Sequence, residues 1–122
     1  MTHKLNKPIA GYHLLMLLTY ADGKFAKEEG DVIVDYLHEN FPIPVNLDEE
    51  LEFLCTLPRD QYEAHFTKAM NDFFDDSIPE ERDHFLDFAV KLVKADKVIT
   101  KEENVFLVML FNAWAPEYEE EN

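Results

Sequence analysis

The feature that most constrains this chain is an acidic segment that occurs twice, 74 residues apart. Residues 20–37 read YADGKFAKEEGDVIVDYL, and residues 94–111 read KADKVITKEENVFLVMLF. Six aligned positions are identical, namely Ala21 and Ala95, Asp22 and Asp96, Lys27 and Lys101, Glu28 and Glu102, Glu29 and Glu103, and Val34 and Val108. In each copy an apolar segment leads into an Asp, and a Glu follows seven residues later. The repeat predicts one helix–loop–helix unit used twice.

Apolar periodicity and helix-breaking residues predict six helices. Their expected limits are about 7–21, 26–40, 47–56, 58–75, 78–95 and 101–115. Prolines end or open several of them, and Ser77 with Glu80 and Thr100 with Glu103 have the spacing of capping boxes. Asn46 is the expected cap of the third helix.

These segments predict an all-α fold, a compact single-domain bundle with an internal pseudo-duplicated helix–loop–helix unit. The repeat units span about 8–40 and 78–115, a bridge spans 41–77, and an acidic tail spans 116–122. A chain of 122 residues is long enough to bury one core.

The same patterns assign individual residues to the core or to the surface. Because VFLVMLF at 105–111 is apolar almost all round, we expect the sixth helix to be the most buried. Most of the following phenylalanines fall on inward stripes: Phe41, Phe53, Phe66, Phe73, Phe74, Phe85, Phe88, Phe106 and Phe111. Cys55 is expected to be a buried thiol. The five histidines, His3, His13, His38, His65 and His84, are expected at helix surfaces or boundaries.

Charge and cysteine content restrict the classes of function. Eleven basic against 26 acidic residues give a net charge of −15, which excludes ordinary nucleic-acid binding. The charge also disfavours anionic membrane surfaces, and no apolar run has the length needed for membrane insertion. The single cysteine allows no intramolecular disulfide, which fits a reducing, cytoplasmic compartment.

The repeated acids are the candidate site. If the two loops approach each other, Asp22, Glu29, Asp96 and Glu103 bring four carboxylates together, a ligand set that suits Ca²⁺ or Mg²⁺. The alternative is that each acid only caps a helix or answers its dipole. The segment does not match the calcium loop of an EF-hand.

The pattern of an apolar helix, Ala-Asp-Gly, and a Glu seven residues after the Asp resembles the TerB family. The family includes the tellurite-resistance protein TerB and the TerB-like domain of J-domain co-chaperones. LLTYADGKFAKEE fits well, and KLVKADKVITKEE fits except at Lys97. The resemblance implies an all-helical domain over most of the chain, with Asp22, Glu29, Asp96 and Glu103 as proposed cation ligands. It also implies a link to stress responses.

No catalytic or cofactor-binding residue is predicted. The chain has one serine, no Gly-rich phosphate loop, and a single Glu-x-x-His at Glu81 and His84, where a dinuclear carboxylate site needs two. We therefore expect a non-enzymatic TerB-like binding module. The alternative is an interaction domain without metal, whose acidic surface, or an apolar groove near Trp114 and Tyr118, docks a protein partner.

Overall fold

The computed structural model describes residues 7–20, 27–40, 47–94 and 101–114, and these residues form six α-helices. The helices are α1 (Lys7–Tyr20), α2 (Lys27–Asn40), α3 (Asp48–Thr56), α4 (Tyr62–Asp76), α5 (Pro79–Lys94) and α6 (Lys101–Trp114). A single 3₁₀ turn, Arg59–Gln61, leads into α4, and none of the four described ranges contains a strand. The predicted all-α fold is confirmed, and no described helix has the length and apolarity needed to cross a membrane.

The helix limits follow the offset of the sequence repeat. α1 ends at Tyr20 and α5 ends at Lys94, while α2 begins at Lys27 and α6 begins at Lys101. Each of these pairs is separated by 74 residues, the offset of the repeat. The pseudo-symmetric packing of the two units stays a prediction.

The most buried helix is α1, not α6 as predicted. Every residue from 10 to 19 of α1 is buried, because α1 contacts each of the other five helices. α6 contacts α1, α4 and α5, and its opposite face leaves Val105, Val108 and Phe111 between 40% and 52% exposed. An apolar composition therefore did not distinguish the enclosed helix from one that packs on a single side.

Gly11 allows the close packing around α1. A Cβ atom at this position would lie 3.2 Å from a ring carbon of Phe85, 3.3 Å from a methyl of Leu37 and 3.4 Å from a ring carbon of Phe73. These atoms belong to α5, α2 and α4, so the absence of a side chain at Gly11 lets three helices approach α1 at one level.

The aromatic core confirms part of the predicted inward set. Phe66, Phe73 and Phe85 are fully buried, and Trp114 stacks on Phe73 with ring centroids 5.0 Å apart. Trp114, near which an apolar groove was predicted, is part of the core, and Tyr118 lies outside the described residues. The exceptions within the set are Phe53, Phe74 and Phe111, which are 40–44% exposed, and Phe41 lies outside the described residues. Cys55, predicted to be buried, is exposed on α3.

The helix starts differ from the predicted capping boxes. At α5 the carboxylate of Glu81, not that of Glu80, accepts a hydrogen bond from the N–H of Ile78 at 3.0 Å. Ser77 instead directs its hydroxyl to the carbonyl of Phe74 at the end of α4, so it does not cap α5. Leu47 occupies the N-cap position of α3, and no side chain caps that helix; Asn46 and Thr100 lie outside the described residues.

Candidate functional site

The four predicted cation ligands lie largely outside the part of the chain that the structure describes. Asp22 and Asp96 belong to the segments 21–26 and 95–100, which are not described. The backbones of Glu29 and Glu103 lie in the first turns of α2 and α6, as predicted, but their side chains are outside the described set. The structure does show the spacing of the helices that flank the two segments: six residues separate α1 from α2, and six separate α5 from α6.

Among the described side chains, no group of three or more His, Cys, Asp or Glu residues is arranged to hold a metal ion. The one Glu-x-x-His of the sequence also fails to converge. Glu81 pairs with the Lys7 ammonium at 2.8 Å, while Nδ1 of His84 lies 3.1 Å from the hydroxyl of Tyr36.

A chain of three polar side chains, which the sequence did not predict, connects α3, α1 and α4. Nε2 of His13 lies 2.7 Å from Oε1 of Glu50, and Nδ1 of His13 lies 2.7 Å from Nε2 of His65. His13 is only 2% exposed, whereas Glu50 and His65 are half-buried. We call these three residues the Glu50–His13–His65 chain.

The partners of His13 define the tautomers. The Glu50 carboxylate can only accept, so Nε2 of His13 carries the proton that it donates to Glu50. In a neutral ring Nδ1 of His13 is then an acceptor, and Nε2 of His65 must be the donor. The three side chains are therefore linked by two hydrogen bonds in series. An N–H of His65 donates to His13, and an N–H of His13 donates to Glu50. Both ring nitrogens of His13 are satisfied, which explains how a histidine is tolerated in the core.

The surroundings keep both imidazoles neutral. Burial lowers the pKa of His13, although the hydrogen bond to Glu50 and its charge act in the opposite direction. Burial, the neighbouring His13 and the Lys68 ammonium together lower the pKa of His65 to about 4, and the carboxylates of Asp72 and Glu50 oppose them weakly. The ring of Phe53 covers the pair, with centroids 5.8 Å from His13 and 5.2 Å from His65.

The prediction that His13 is a surface or boundary residue was therefore wrong. A signal was present in the sequence, because His13 stands inside the apolar run IAGYHLLMLL, and a buried histidine needs hydrogen-bond partners. Glu50 and His65 had no comparable signal, since their positions 37 and 52 residues away become adjacent only through packing.

A second polar feature is a shallow cleft of about 290 Å³ between α2 and α5. It is lined by Tyr36, Glu39, Asn40, His84, Asp87, Phe88 and Lys91. The rings of Tyr36 and Phe88 stack with centroids 3.8 Å apart, and burial raises the pKa of Tyr36 to about 12. The phenol therefore stays protonated, and no activated nucleophile results.

The described helices define an all-α domain in which α1 is enclosed by the other helices. A family model described as tellurite resistance protein TerB matches residues 9–113. The chain belongs to the TerB family. Searches of curated proteins and of solved structures return no match.

Proposed function

We propose that this TerB-family chain is a non-enzymatic binding module that holds one divalent cation, Ca²⁺ or Mg²⁺, through Asp22, Glu29, Asp96 and Glu103. The observation that carries the proposal is that the Asp and the Glu occupy the same positions relative to the helix ends in both acidic segments. Each Asp stands two residues after a helix end, and each Glu is the third residue of the next helix. Carboxylate oxygens in this number suit a hard divalent cation. A reducing, cytoplasmic setting fits the single cysteine.

The test is thermal unfolding of chelator-treated protein with and without millimolar Ca²⁺, Mg²⁺, Mn²⁺ or Zn²⁺, at constant ionic strength. A cation present at 100 times its Kd stabilises the folded state by about 2.7 kcal/mol, which is several degrees for a domain of this size. The double variant Asp22→Asn with Asp96→Asn is expected to lose the shift.

The matched control is Asp35→Asn with Asp60→Asn, which removes the same charge from two exposed aspartates that are not among the four proposed ligands. It is expected to keep the full shift. If no cation raises the melting temperature, or if both double variants respond like the natural chain, the four acids are not a cation site.

One observation favours the second candidate, an interaction domain without metal. Val105, Val108 and Phe111 are exposed at three-residue spacing, so they form one apolar stripe on α6. The sequence places Glu102 and Glu103 before this stripe and four further glutamates between 117 and 121, in a chain of net charge −15. The occupant that complements both features is a basic amphipathic helix from a partner protein, because a second copy of this acidic chain would be repelled.

The probe for this candidate is a labelled synthetic amphipathic helix with one leucine face and one lysine face, titrated in the presence of chelator. Val108→Lys is expected to weaken its binding at least tenfold, whereas Val32→Lys on α2, which is exposed to a similar degree, has little effect. Equal weakening by both variants would show charge attraction without a docking surface.

A further inference from the structure

The buried Glu50–His13–His65 chain serves neither candidate function described above, and it connects three helices that are far apart in sequence. We propose that this chain is a proton-sensitive latch, which holds α3 against α1 and α4 at neutral pH and releases α3 under acidic conditions.

The geometry of the docked state excludes protonation of both rings at once. Nδ1 of His13 and Nε2 of His65 face each other at 2.7 Å, and one proton lies between them. If both rings were protonated, each facing nitrogen would carry a hydrogen, so the hydrogen bond would be replaced by the contact of two cations. The pair cannot take up its second proton without separating.

A first proton is also disfavoured while α3 is docked. The groups that face the two rings are Glu50 from α3 and Lys68 and Asp72 from α4, and Phe53 from α3 covers the rings. Glu50 is the carboxylate that acts on His13, whereas on His65 the charge of Asp72, which forms an ion pair with Lys68, acts more strongly than that of Glu50. Removal of α3 would take Phe53 away and let water reach His65, so protonation and release favour each other.

Without the Glu50–His13–His65 chain, α3 would be held only weakly against the other helices. The helix has nine residues, and Leu54 is its one buried apolar side chain, since Phe53 and Cys55 are exposed and Leu51 is only partly buried. A helix of this length is marginal without tertiary contacts. Its N-terminus also lacks a side-chain cap.

The sign of the pH dependence follows from the lowered pKa of His65. The docked state binds fewer protons than the released state between the ordinary histidine pKa of 6.5 and the docked value of about 4. Docking is therefore complete above about pH 6.5 and weakens as the pH falls toward 4. If release of α3 restored the ordinary pKa of His65 in full, the equilibrium between released and docked α3 would rise on the order of 30-fold from pH 7.5 to pH 5. This is an upper limit, because His13 on α1 and Lys68 on α4 also lower the pKa and stay in place.

The protein carries its own spectroscopic reporters, because Cys55 is its single cysteine and Trp114 its single tryptophan. Cys55 is exposed on α3, and Trp114 is buried in the core against Phe73. An energy acceptor attached to Cys55 measures the approach of α3 to the core through energy transfer from Trp114. We expect the transfer to fall between pH 7.5 and pH 5, while helical circular dichroism is retained.

Two variants separate the latch from general acid effects. His65→Gln removes the titrating ring but keeps an amide that can donate to His13, and we expect it to keep its energy transfer at pH 5. His38→Gln changes an exposed histidine of α2 and is expected to respond to acid like the natural chain. Three outcomes would each overturn the proposal. The energy transfer in the natural chain could stay unchanged at pH 5, it could fall in His65→Gln as well, or it could fall only when the whole protein unfolds.

A second measurement needs no variant. Nitrogen-15 spectra of the histidine rings are expected to show the Nε2–H tautomer for His13 and His65 at pH 7.5, and both rings should titrate below the ordinary histidine pKa of 6.5. The Nδ1–H tautomer for either ring, or titration of His65 at or above 6.5, would contradict the latch.

Discussion

At the scale of single residues, Glu81 shows how one side chain joins two parts of the fold. Its carboxylate accepts from the N–H of Ile78 at the start of α5 and from the Lys7 ammonium at the start of α1. Partial burial raises the pKa of Glu81, but the hydrogen bonds from Lys7 and Ile78 and the charges of Lys7 and Arg82 outweigh it, so the net shift is downward. The charged carboxylate therefore stabilises the folded state.

We predict that Glu81→Gln lowers the free energy of unfolding by about 1 kcal/mol at pH 7, the usual size of a lost helix-end interaction. Because the folded pKa lies below the ordinary value of 4.5, this contribution is present above about pH 4.5 and is lost as the pH falls through the folded pKa. Urea unfolding at pH 7 and pH 3 measures it. The control is Glu80→Gln, at the exposed neighbouring position. A loss of equal size in both variants would contradict the assigned role.

At the scale of elements, the packing around α1 depends on Gly11. A side chain there would press on Phe85, Leu37 and Phe73, which belong to three different helices. The alanine variant would gain helix propensity and lose packing in similar amounts, so it does not discriminate between the two effects. A β-branched residue at this position does discriminate, because its larger side chain makes the loss of packing the dominant effect.

We predict that Gly11→Val destabilises the fold by about 2 kcal/mol, because added methyl groups force the three neighbouring side chains apart. The measurement is chemical denaturation monitored by the fluorescence of Trp114, which packs against Phe73 and Phe85. Ala64→Val is the matched control, since Ala64 lies on the exposed face of α4. Equal stability of the two variants would show that the space around Gly11 is not limiting.

At the scale of the whole molecule, the dominant property is the net charge of −15. Like charges repel more strongly in the compact state than in the unfolded chain, so the fold carries an electrostatic penalty at low ionic strength. An exposed ion pair such as Lys91 with Asp87 offsets little of it.

We predict that raising KCl from about 20 to 300 mM increases the melting temperature by a few degrees, because the salt screens this repulsion. Differential scanning calorimetry in a buffer of constant composition measures the change. A fall in melting temperature would mean that attractive ion pairs outweigh the repulsion. The same effect is the reason that the divalent-cation experiment requires constant ionic strength.

The sequence alone determined the fold class and the helix order, because amphipathic periodicity, prolines and the repeat are local signals. Five of the six helices begin and end within one residue of the predicted limits, whereas α4 begins at Tyr62, four residues after its predicted start. The positions of the repeated Asp and Glu were likewise evident from the local sequence. Their cation-binding role stays a prediction.

Tertiary packing decided which apolar and polar side chains are enclosed. The apolar run of α6 gave no indication that one side of that helix stays exposed, and His13 was placed at the surface although α1 is surrounded on all sides. The Glu50–His13–His65 chain exists only because three helices meet, and its members are 37 and 52 residues from His13. Local patterns report which side of a helix prefers to be buried, whereas the number of neighbouring helices is fixed by packing.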